Sequence, residues 1–481
     1  MKRSILLFAL LCATTFTQAQ IGIGTSSPNA ASQLEVSSTS KGFLPPRMTA
    51  AQRNAISTPV AGLIVWCNDC GSNGEIQIYN GTEWVNFIGG ARQLTATAAS
   101  STRLGADIDG EAAENYSGWS VTSSSDGTTV AIGARGNTAY TGHVRVYKYI
   151  NSAWTQIGAD IDGEAVEDNS GFSVSISSDG TTVAIGAPYN DGVGSNAGQV
   201  RVYKYTAGAW TQIGADIDGE AAGDISGYSV AISSDGATVA IAAPTNDGGG
   251  NNAGQVRVYQ YINNTWTKIG ADIDGEAIYD ESGTAVAISS DGTTVAIGAI
   301  GNAGGGSVAG HVRVYKNITG TWTKIGADID GEAAGDYSGR SVAISSDGTT
   351  VAIGAPYNDG GGSDAGQVRV YKNIAGTWTK IGTDIDGEAA GDQSGRSVAI
   401  SSDGTTVAIG TPGSGQVRVY QNIVGTWTKI GVNINGEEAG DQSGWSVAIS
   451  SDGTKVAIGA PYNDGGGSDA GQVRVYLPRD L

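Results

Sequence analysis

Residues 341–356 read Ser-Val-Ala-Ile-Ser-Ser-Asp-Gly-Thr-Thr-Val-Ala-Ile-Gly-Ala-Pro, and this stretch recurs with small changes along most of the chain. Two short apolar runs flank a central Asp-Gly pair. Asp-Gly between apolar runs is a strong short-range signal for a tight hairpin turn. We therefore expect residues 341–345 and 350–355 to form two antiparallel strands joined at Asp347-Gly348.

The same turn recurs at a nearly constant period. Its aspartates are Asp126, Asp179, Asp235, Asp291, Asp347, Asp403 and Asp452, so successive spacings are 53, 56, 56, 56, 56 and 49 residues by subtraction. Within one unit, residues 368–371 and 377–381 predict a third and a fourth strand. Seven units of four short strands predict an all-β fold, a seven-bladed β-propeller of four-stranded blades.

The ends of the repeat array indicate how the ring closes. The last unit stops after residues 473–476 and lacks the Trp-bearing fourth strand that six units carry. Thr102-Arg103-Leu104-Gly105, before the first unit, matches that missing strand. We expect a strand near residues 101–106 to complete the last blade. The six tryptophans are expected to pack blade against blade, with stacking of sugars as the alternative.

The chain begins like an exported protein. Lys2 and Arg3 precede an apolar run from Ile5 to Ala13 and a small-residue cleavage site ending at Ala19, which predicts a signal peptide over residues 1–19. No later run reaches the roughly 20 apolar residues of a membrane-spanning helix, so no transmembrane segment is expected. The predicted organisation is a signal peptide (1–19), a small β-rich head or display region (20–92) and the propeller (93–481), secreted or at the cell surface.

Charge and cysteine content narrow the classes of partner. The formal net charge is −20, which disfavours nucleic acid and anionic membrane surfaces as partners.

After export only Cys67 and Cys70 remain, and an oxidising compartment predicts a disulfide between them. His143 and His311 occupy a repeat position that is Gln in the other five units, so they are expected to be surface variants.

Short motifs within the units resemble a known family. Ser170-Gly171-Phe172 followed by Gly186-Ala187-Pro188 resembles the FG-GAP repeat of integrin α-subunit propellers and their bacterial relatives, over residues 101–481. Most units replace the Phe172 position with another residue. The resemblance implies a propeller used for extracellular recognition. The family's calcium loop is reduced here to Ser-Ser-Asp-Gly-Thr, so its usual metal site is not expected at that place.

The N-terminal region carries a second resemblance. Gly42-Phe43-Leu44-Pro45-Pro46-Arg47 and Tyr79-Asn80-Gly81-Thr82-Glu83-Trp84 are similar to the head segment of fibre-like exported proteins of Bacteroidetes and of some phage tail fibres. That resemblance implies display or oligomerisation through the head. The alternative is a small β-rich cap with no role of its own.

The regularity of the units favours binding over catalysis. Antiparallel strands alternate in direction, so both long loops of each unit fall on one face of the disc, where a ligand would meet them. A glycosidase would need a unique constellation such as paired carboxylates. We expect a non-enzymatic binding or adhesion scaffold for an extracellular protein or glycan. A carbohydrate-binding lectin is the alternative and a glycosidase a weaker one.

An acidic loop, Asp-Ile-Asp-Gly-Glu-x-x-x-Asp, precedes most units. Its acids stand at positions one, three, five and nine, a spacing by which one loop can turn several oxygens toward Ca²⁺. The alternative is a strand end whose acids face water. The candidate ligands are Asp160, Asp162, Glu164 and Asp168; Asp216, Asp218, Glu220 and Asp224; Asp272, Asp274, Glu276 and Asp280; Asp328, Asp330, Glu332 and Asp336; and Asp384, Asp386, Glu388 and Asp392.

Calcium at these loops predicts a stability change that is easy to measure. A site that binds only the folded state stabilises it by ~2.7 kcal/mol at a hundredfold excess of ion over the dissociation constant. Thermal melts in millimolar calcium should therefore lie above melts in chelator. Superimposable melts would contradict calcium binding.

Overall fold

The computed structural model describes residues 21–23, 34–36, 44–70, 74–79, 84–86 and 101–478. Contacts divide the chain between Thr97 and Ala98 into two compact units. The predicted signal peptide, residues 1–19, lies outside the described residues. None of the helices in the described part of the chain is both long and apolar enough to span a bilayer.

The N-terminal unit is small and rich in β-structure. Its strands are Ile21–Ile23, Leu34–Val36, Arg47–Met48, Ile64–Cys67, Glu75–Tyr79 and Trp84–Asn86. The first two pair in parallel and the last four form one sheet. A helix, Ala50–Asn54, begins at Thr49, whose hydroxyl accepts from the Gln52 N–H in a capping box. The predicted disulfide joins Cys67 to Cys70.

The C-terminal unit consists of repeated antiparallel sheets, of which residues 101–478 contain seven. We number them 1 to 7 in the order of their first strands. The first strands are Ser117–Ser123, Ser173–Ile176, Ser229–Ile232, Ser282–Ile288, Ser341–Ile344, Ser397–Ile400 and Ser446–Ile449. The second strands are Thr129–Ala134, Thr182–Ala187, Thr238–Ala243, Thr294–Ala299, Thr350–Ala355, Thr406–Thr411 and Val456–Ala460.

The outer half of each sheet repeats equally regularly. The third strands are His143–Ile150, Gln199–Thr206, Gln255–Ile262, His311–Ile318, Gln367–Ile374, Gln416–Ile423 and Gln472–Leu477. The fourth strands of sheets 1 to 6 are Ala153–Gln156, Ala209–Gln212, Thr265–Lys268, Thr321–Lys324, Thr377–Lys380 and Thr426–Lys429. Two short helices, Asn137–Tyr140 and the 3₁₀ turn Ala439–Asp441, interrupt the loops.

A two-residue strand from the acidic loop also pairs with each third strand. In sheets 1 to 6 these strands are Ile161–Asp162, Ile217–Asp218, Ile273–Asp274, Ile329–Asp330, Ile385–Asp386 and Ile434–Asn435. In each, the first residue, an isoleucine, is buried and the second, Asp or Asn, lies toward solvent.

The array closes on itself. In sheet 7 the fourth strand is Thr102–Arg103, which pairs Arg103 with Tyr476 and Thr102 with Leu477, while Ile108–Asp109 supplies the two-residue strand. First strands contact one another in sequence, and that of sheet 7 contacts that of sheet 1. Sheets arranged in this cyclic order form a β-propeller with its first strands around a central channel.

Each Asp-Gly turn is fixed by its own side chains. In sheet 5 the Asp347 carboxylate accepts from the Ser345 hydroxyl at 2.6 Å and from the Thr349 N–H at 2.9 Å. Gly348 takes a φ of 70°, which glycine adopts without strain. Partial burial acts to raise the pKa of Asp347, but these hydrogen bonds outweigh it and leave that pKa below its usual value. The turn therefore holds an ionised aspartate.

Neighbouring sheets share an apolar core. Between sheets 4 and 5, for example, the core joins Val312, Val314 and Ile329 to Val351 and Ile353. The fourth-strand tryptophans lie at the rim of such cores. Each indole N–H donates to the backbone carbonyl of the residue that follows the fourth strand of the preceding sheet. These bonds measure 2.7–2.8 Å and run from Trp154, Trp210, Trp266, Trp322, Trp378 and Trp427. The expected packing of sheet on sheet is confirmed.

The two histidines correct one expectation. His143 and His311 are 0% and 1% exposed, so they are not surface variants. Each begins a third strand at the position where four of the other sheets bury a Gln. Burial lowers the pKa of both imidazoles, with a neighbouring arginine as the next contribution. This repeat position lies in the interior of the propeller. Gln and His are polar, so the sequence alone suggested that it was on the surface.

Candidate functional site

The third-strand arginines recur in every sheet and are structural. Arg369, 5% exposed, donates to the Asp330 carbonyl at 2.8 Å and to the Tyr371 hydroxyl at 3.0 Å. Its guanidinium also lies 3.5 Å from the Glu332 carboxylate. The arginine thus ties its own sheet to the acidic loop that precedes it, and it is not available to a ligand.

The acids of each predicted calcium loop have separate partners. In the loop before sheet 5, Asp328 pairs with Lys324 at 2.8 Å and Glu332 with Arg369. Asp330 ends a strand with its side chain 48% exposed. Asp336 accepts from the Ala333 N–H and from Asn358, both at 3.0 Å. Three of the four carboxylates therefore have separate partners, and the fourth lies toward solvent.

The other candidate loops follow the same division of partners, except that before sheet 6 Arg418 pairs with both Glu388 and Asp392, the latter at 2.6 Å. Asp160 and Asp216 accept from glutamines, whereas Asp272 and Asp384 pair with lysines. Glu164, Glu220, Glu276 and Glu388 lie 3.4–3.6 Å from third-strand arginines. Asp218, Asp274 and Asp386 accept from third-strand glutamines, and Asp162 is an exposed strand end. Asp168, Asp224, Asp280 and Asp392 each accept from backbone N–H groups of their own loop.

Among the described residues, the groups of side chains that lie close enough to bind a metal ion do not come from a single acidic loop. Glu111, His143 and Asp160 place three potential ligand atoms within 4.8 Å of one another, and so do Glu276, His311 and Asp328. Cys67, Asp69 and Cys70 form a third group, in which the two sulfurs are already joined. No group contains two acids of one acidic loop. Calcium at the acidic loops stays a prediction, and an ion there would compete with the contacts described above.

The units differ clearly at the wall of the central channel. The residue after each Ser-Gly pair is Trp119, Phe172, Tyr228, Thr284, Arg340, Arg396 or Trp445. All seven line one cavity of about 490 Å³, together with Arg135 and Tyr189. Sequence reasoning noted this variation only as a weakness of the Phe-Gly motif. We call these seven residues the channel ring.

Four consecutive members of the channel ring are aromatic and touch in series. Ring centroids are 4.7 Å apart for Trp445 and Trp119, 5.7 Å for Trp119 and Phe172, and 4.9 Å for Phe172 and Tyr228. Interplanar angles of 44–49° tilt each ring against the next. We call this continuous surface across sheets 7, 1, 2 and 3 the aromatic arc.

The other side of the channel is cationic. Arg340 and Arg396 stand on adjacent sheets, and burial followed by the charge of Arg340 lowers the pKa of Arg396 to about 9. The Arg396 guanidinium lies 4.0 Å from the centroid of the Trp445 ring, and that of Arg135 lies 3.7 Å from the Trp119 ring. Among the described residues that line the cavity there is no Asp or Glu. A pKa of about 9 leaves Arg396 charged at neutral pH.

The long loops border the channel mouth. Tyr337 and Tyr357 pack edge to face at 5.2 Å and, with Arg340 and Asp364, line an adjoining cleft of about 440 Å³. A second kind of depression recurs between sheets, beside Trp210, Trp266 and Trp378, with volumes of about 160–380 Å³. Each of these inter-sheet grooves also contains the first two acids of an acidic loop.

Comparison with known families agrees with this geometry. Residues 324–371 and 435–476 match the family described as FG-GAP repeat. The C-terminal unit is an FG-GAP β-propeller. Residues 22–102 match a second family, described as phage tail like trimerisation region. No curated protein matches the chain in sequence.

Two solved structures superpose on this chain at low identity. Hydrazine synthase of Kuenenia stuttgartiensis superposes with a TM-score of 0.50 and 14% identity, over 76% of this chain and 96% of that one. A putative 6-phosphogluconolactonase from Bacteroides uniformis gives a TM-score of 0.48 and 14% identity, over 76% and 94%. At such identity the first likeness concerns the fold of the FG-GAP propeller and not its activity.

Replacing an arginine by glutamine should affect stability differently at a third-strand position and in the channel. Arg369→Gln should lower the free energy of unfolding by roughly 3 kcal/mol, because it leaves buried acceptors and Glu332 without their partner. Arg396→Gln should leave stability unchanged or raise it, because it removes a cation that repels Arg340. Urea denaturation of both variants measures the difference. An equal loss in the two variants would show that Arg396 is structural.

Proposed function

We propose that this chain is an extracellular binding scaffold, a seven-bladed FG-GAP propeller that takes its ligand at the central channel. The observation that carries the proposal is the distribution of sequence differences. Units that agree at turns, cores and third-strand arginines differ at the channel ring. A scaffold that repeats its fold and varies one surface places its specificity on that surface.

The shape of the channel supports this assignment. Its volume of about 490 Å³ falls in the usual range of ligand-binding clefts, and its wall combines aromatic surface with a few charged groups. Its described lining offers no pair of carboxylates for hydrolysis of a glycosidic bond. These features support binding without catalysis. Adhesion follows if the ligand is fixed to another surface.

The inter-sheet grooves favour a second candidate, a lectin with repeated sites. Each groove sets a partly buried tryptophan beside two aspartates, for example Trp378 beside Asp328 and Asp330. Aromatic faces with adjacent carboxylates suit neutral sugars. In that case several equivalent weak sites would act together, and the channel would have no part in binding.

A binding survey with two matched variants separates these candidates. The full exported chain is applied to arrays of glycans and of purified extracellular proteins. Signals should disappear with Trp119→Ala in the aromatic arc and persist with Tyr279→Ala, an aromatic residue 56% exposed on an acidic loop. Loss with Tyr279→Ala alone would place the ligand on the loops. Signals that survive both variants would assign binding to the grooves and overturn the channel.

We further propose that the N-terminal unit assembles the chain into trimers. The match of residues 22–102 to a trimerisation region supports this. Three channels on one particle would raise the avidity for a multivalent surface well beyond the affinity of one channel. Sedimentation equilibrium should give a mass three times that of the exported chain, and the mass of a single shortened chain after residues 20–97 are removed. A monomeric full chain would contradict the proposal.

A further inference from the structure

The charge of the channel points to the class of its ligand. The chain as a whole carries a net charge of −20, yet the channel gathers Arg135, Arg340 and Arg396 without a lining acid in the described residues. Each third-strand arginine, in contrast, has a glutamate within 4.0 Å. The channel cations therefore lack the counter-charge that the rest of the fold supplies.

The acids around Arg340 lie outside the channel lining, since Asp364 lines the adjoining cleft with Arg340 but not the channel cavity. Glu281 interacts with Arg340, but burial of Glu281 raises the pKa of its carboxyl above the usual value in spite of that arginine. No ion pair joins Glu281 to Arg340 among the described residues, and Glu281 does not line the cavity. Two adjacent arginines in a partly dehydrated channel repel each other, and a bound anion removes that repulsion. Guanidinium groups bind carboxylates through paired hydrogen bonds.

The aromatic arc indicates which other chemical group an anionic ligand of the channel would carry. Its four rings present a continuous apolar surface next to the arginines, which suits the flat C–H face of a sugar ring. One face of Trp119 and one face of Trp445 are covered by the chain's own Arg135 and Arg396, so a cationic ligand would meet repulsion there. Phe172 and Tyr228 continue the surface away from these cations. One side of the ligand is thus anionic and the other apolar.

We propose that the channel binds a carboxylated sugar, with its carboxylate between Arg340 and Arg396 and its ring against the aromatic arc. The inference rests on the proposed function, because it names the ligand class of the same channel. A cavity of about 490 Å³ accommodates one or two sugar residues, so the recognised unit is the end of an acidic glycan.

Titration calorimetry with methyl glucuronide and methyl glucoside tests the proposal on the full exported chain. The two probes share a ring and differ in the carboxylate. Methyl glucuronide should bind at least tenfold more tightly than methyl glucoside, and more weakly as salt is raised. Arg396→Gln should weaken the glucuronide at least tenfold. Lys372→Gln, which removes the same charge from an exposed third-strand position, should leave affinity unchanged.

Other outcomes overturn the inference in distinguishable ways. Equal affinity for the two probes, lost in Trp119→Ala, would keep the channel as the site and reject the carboxylate. Inorganic sulfate binding as tightly as methyl glucuronide would reject the role of the ring. If neither probe binds while an array ligand still depends on Trp119, only the ligand class fails. If no ligand depends on Trp119, the proposed function fails as well.

Discussion

Adjacent sheets approach so closely at their inner ends that no side chain fits between their backbones. A methyl group on Gly354 would lie 2.0 Å from the carbonyl oxygen of Gly395 on the next sheet. The Ser341 hydroxyl donates to that same carbonyl at 2.8 Å. Gly395 itself needs a φ of 86°, so both glycines of the Phe-Gly and Gly-Ala-Pro motifs are required by one contact. The spacing of the inner strands, and thus the width of the channel, depends on this contact.

One sheet departs from this contact. Sheet 3 has Ala242 where the other six have glycine, and a Cβ on the facing Gly283 would lie 2.9 Å from the Ala242 methyl. The first strand of sheet 4 shifts register between Ser282 and Ala285, but that of sheet 1, which faces Gly459, shifts in the same way, so the alanine is not the cause of the shift. Thr284, the small member of the channel ring, lies at this shift. The position after each glycine is otherwise free to vary, because its side chain enters the channel and not an inter-sheet core.

The repeated features were predictable from the sequence and the unique ones were not. Asp-Gly turns, apolar second strands and the FG-GAP motifs predicted a propeller, because local turn chemistry and strand periodicity act within a few residues. The acids at Asp328, Asp330, Glu332 and Asp336 suggested convergence because spacing alone does not reveal partners on other strands. Fourth-strand lysines, third-strand arginines and an asparagine two loops away decide where these carboxylates point. The channel ring was overlooked for a related reason, since its members meet only when the ring of sheets is formed.

Closure by the strand Thr102–Arg103 also has a mechanical consequence. This strand lies directly after the linker from the N-terminal unit and is held by two residue pairs to the last strand of the chain. If the N-terminal unit is attached to one surface and the channel binds a ligand on another, a pulling force between the two surfaces is transmitted through this strand. The ring is then only as strong as its shortest fourth strand, and pulling that strand free would uncover the edge of sheet 7. The pairing of Thr102–Arg103 with sheet 7 would therefore limit the resistance to shear more than the strength of ligand binding does.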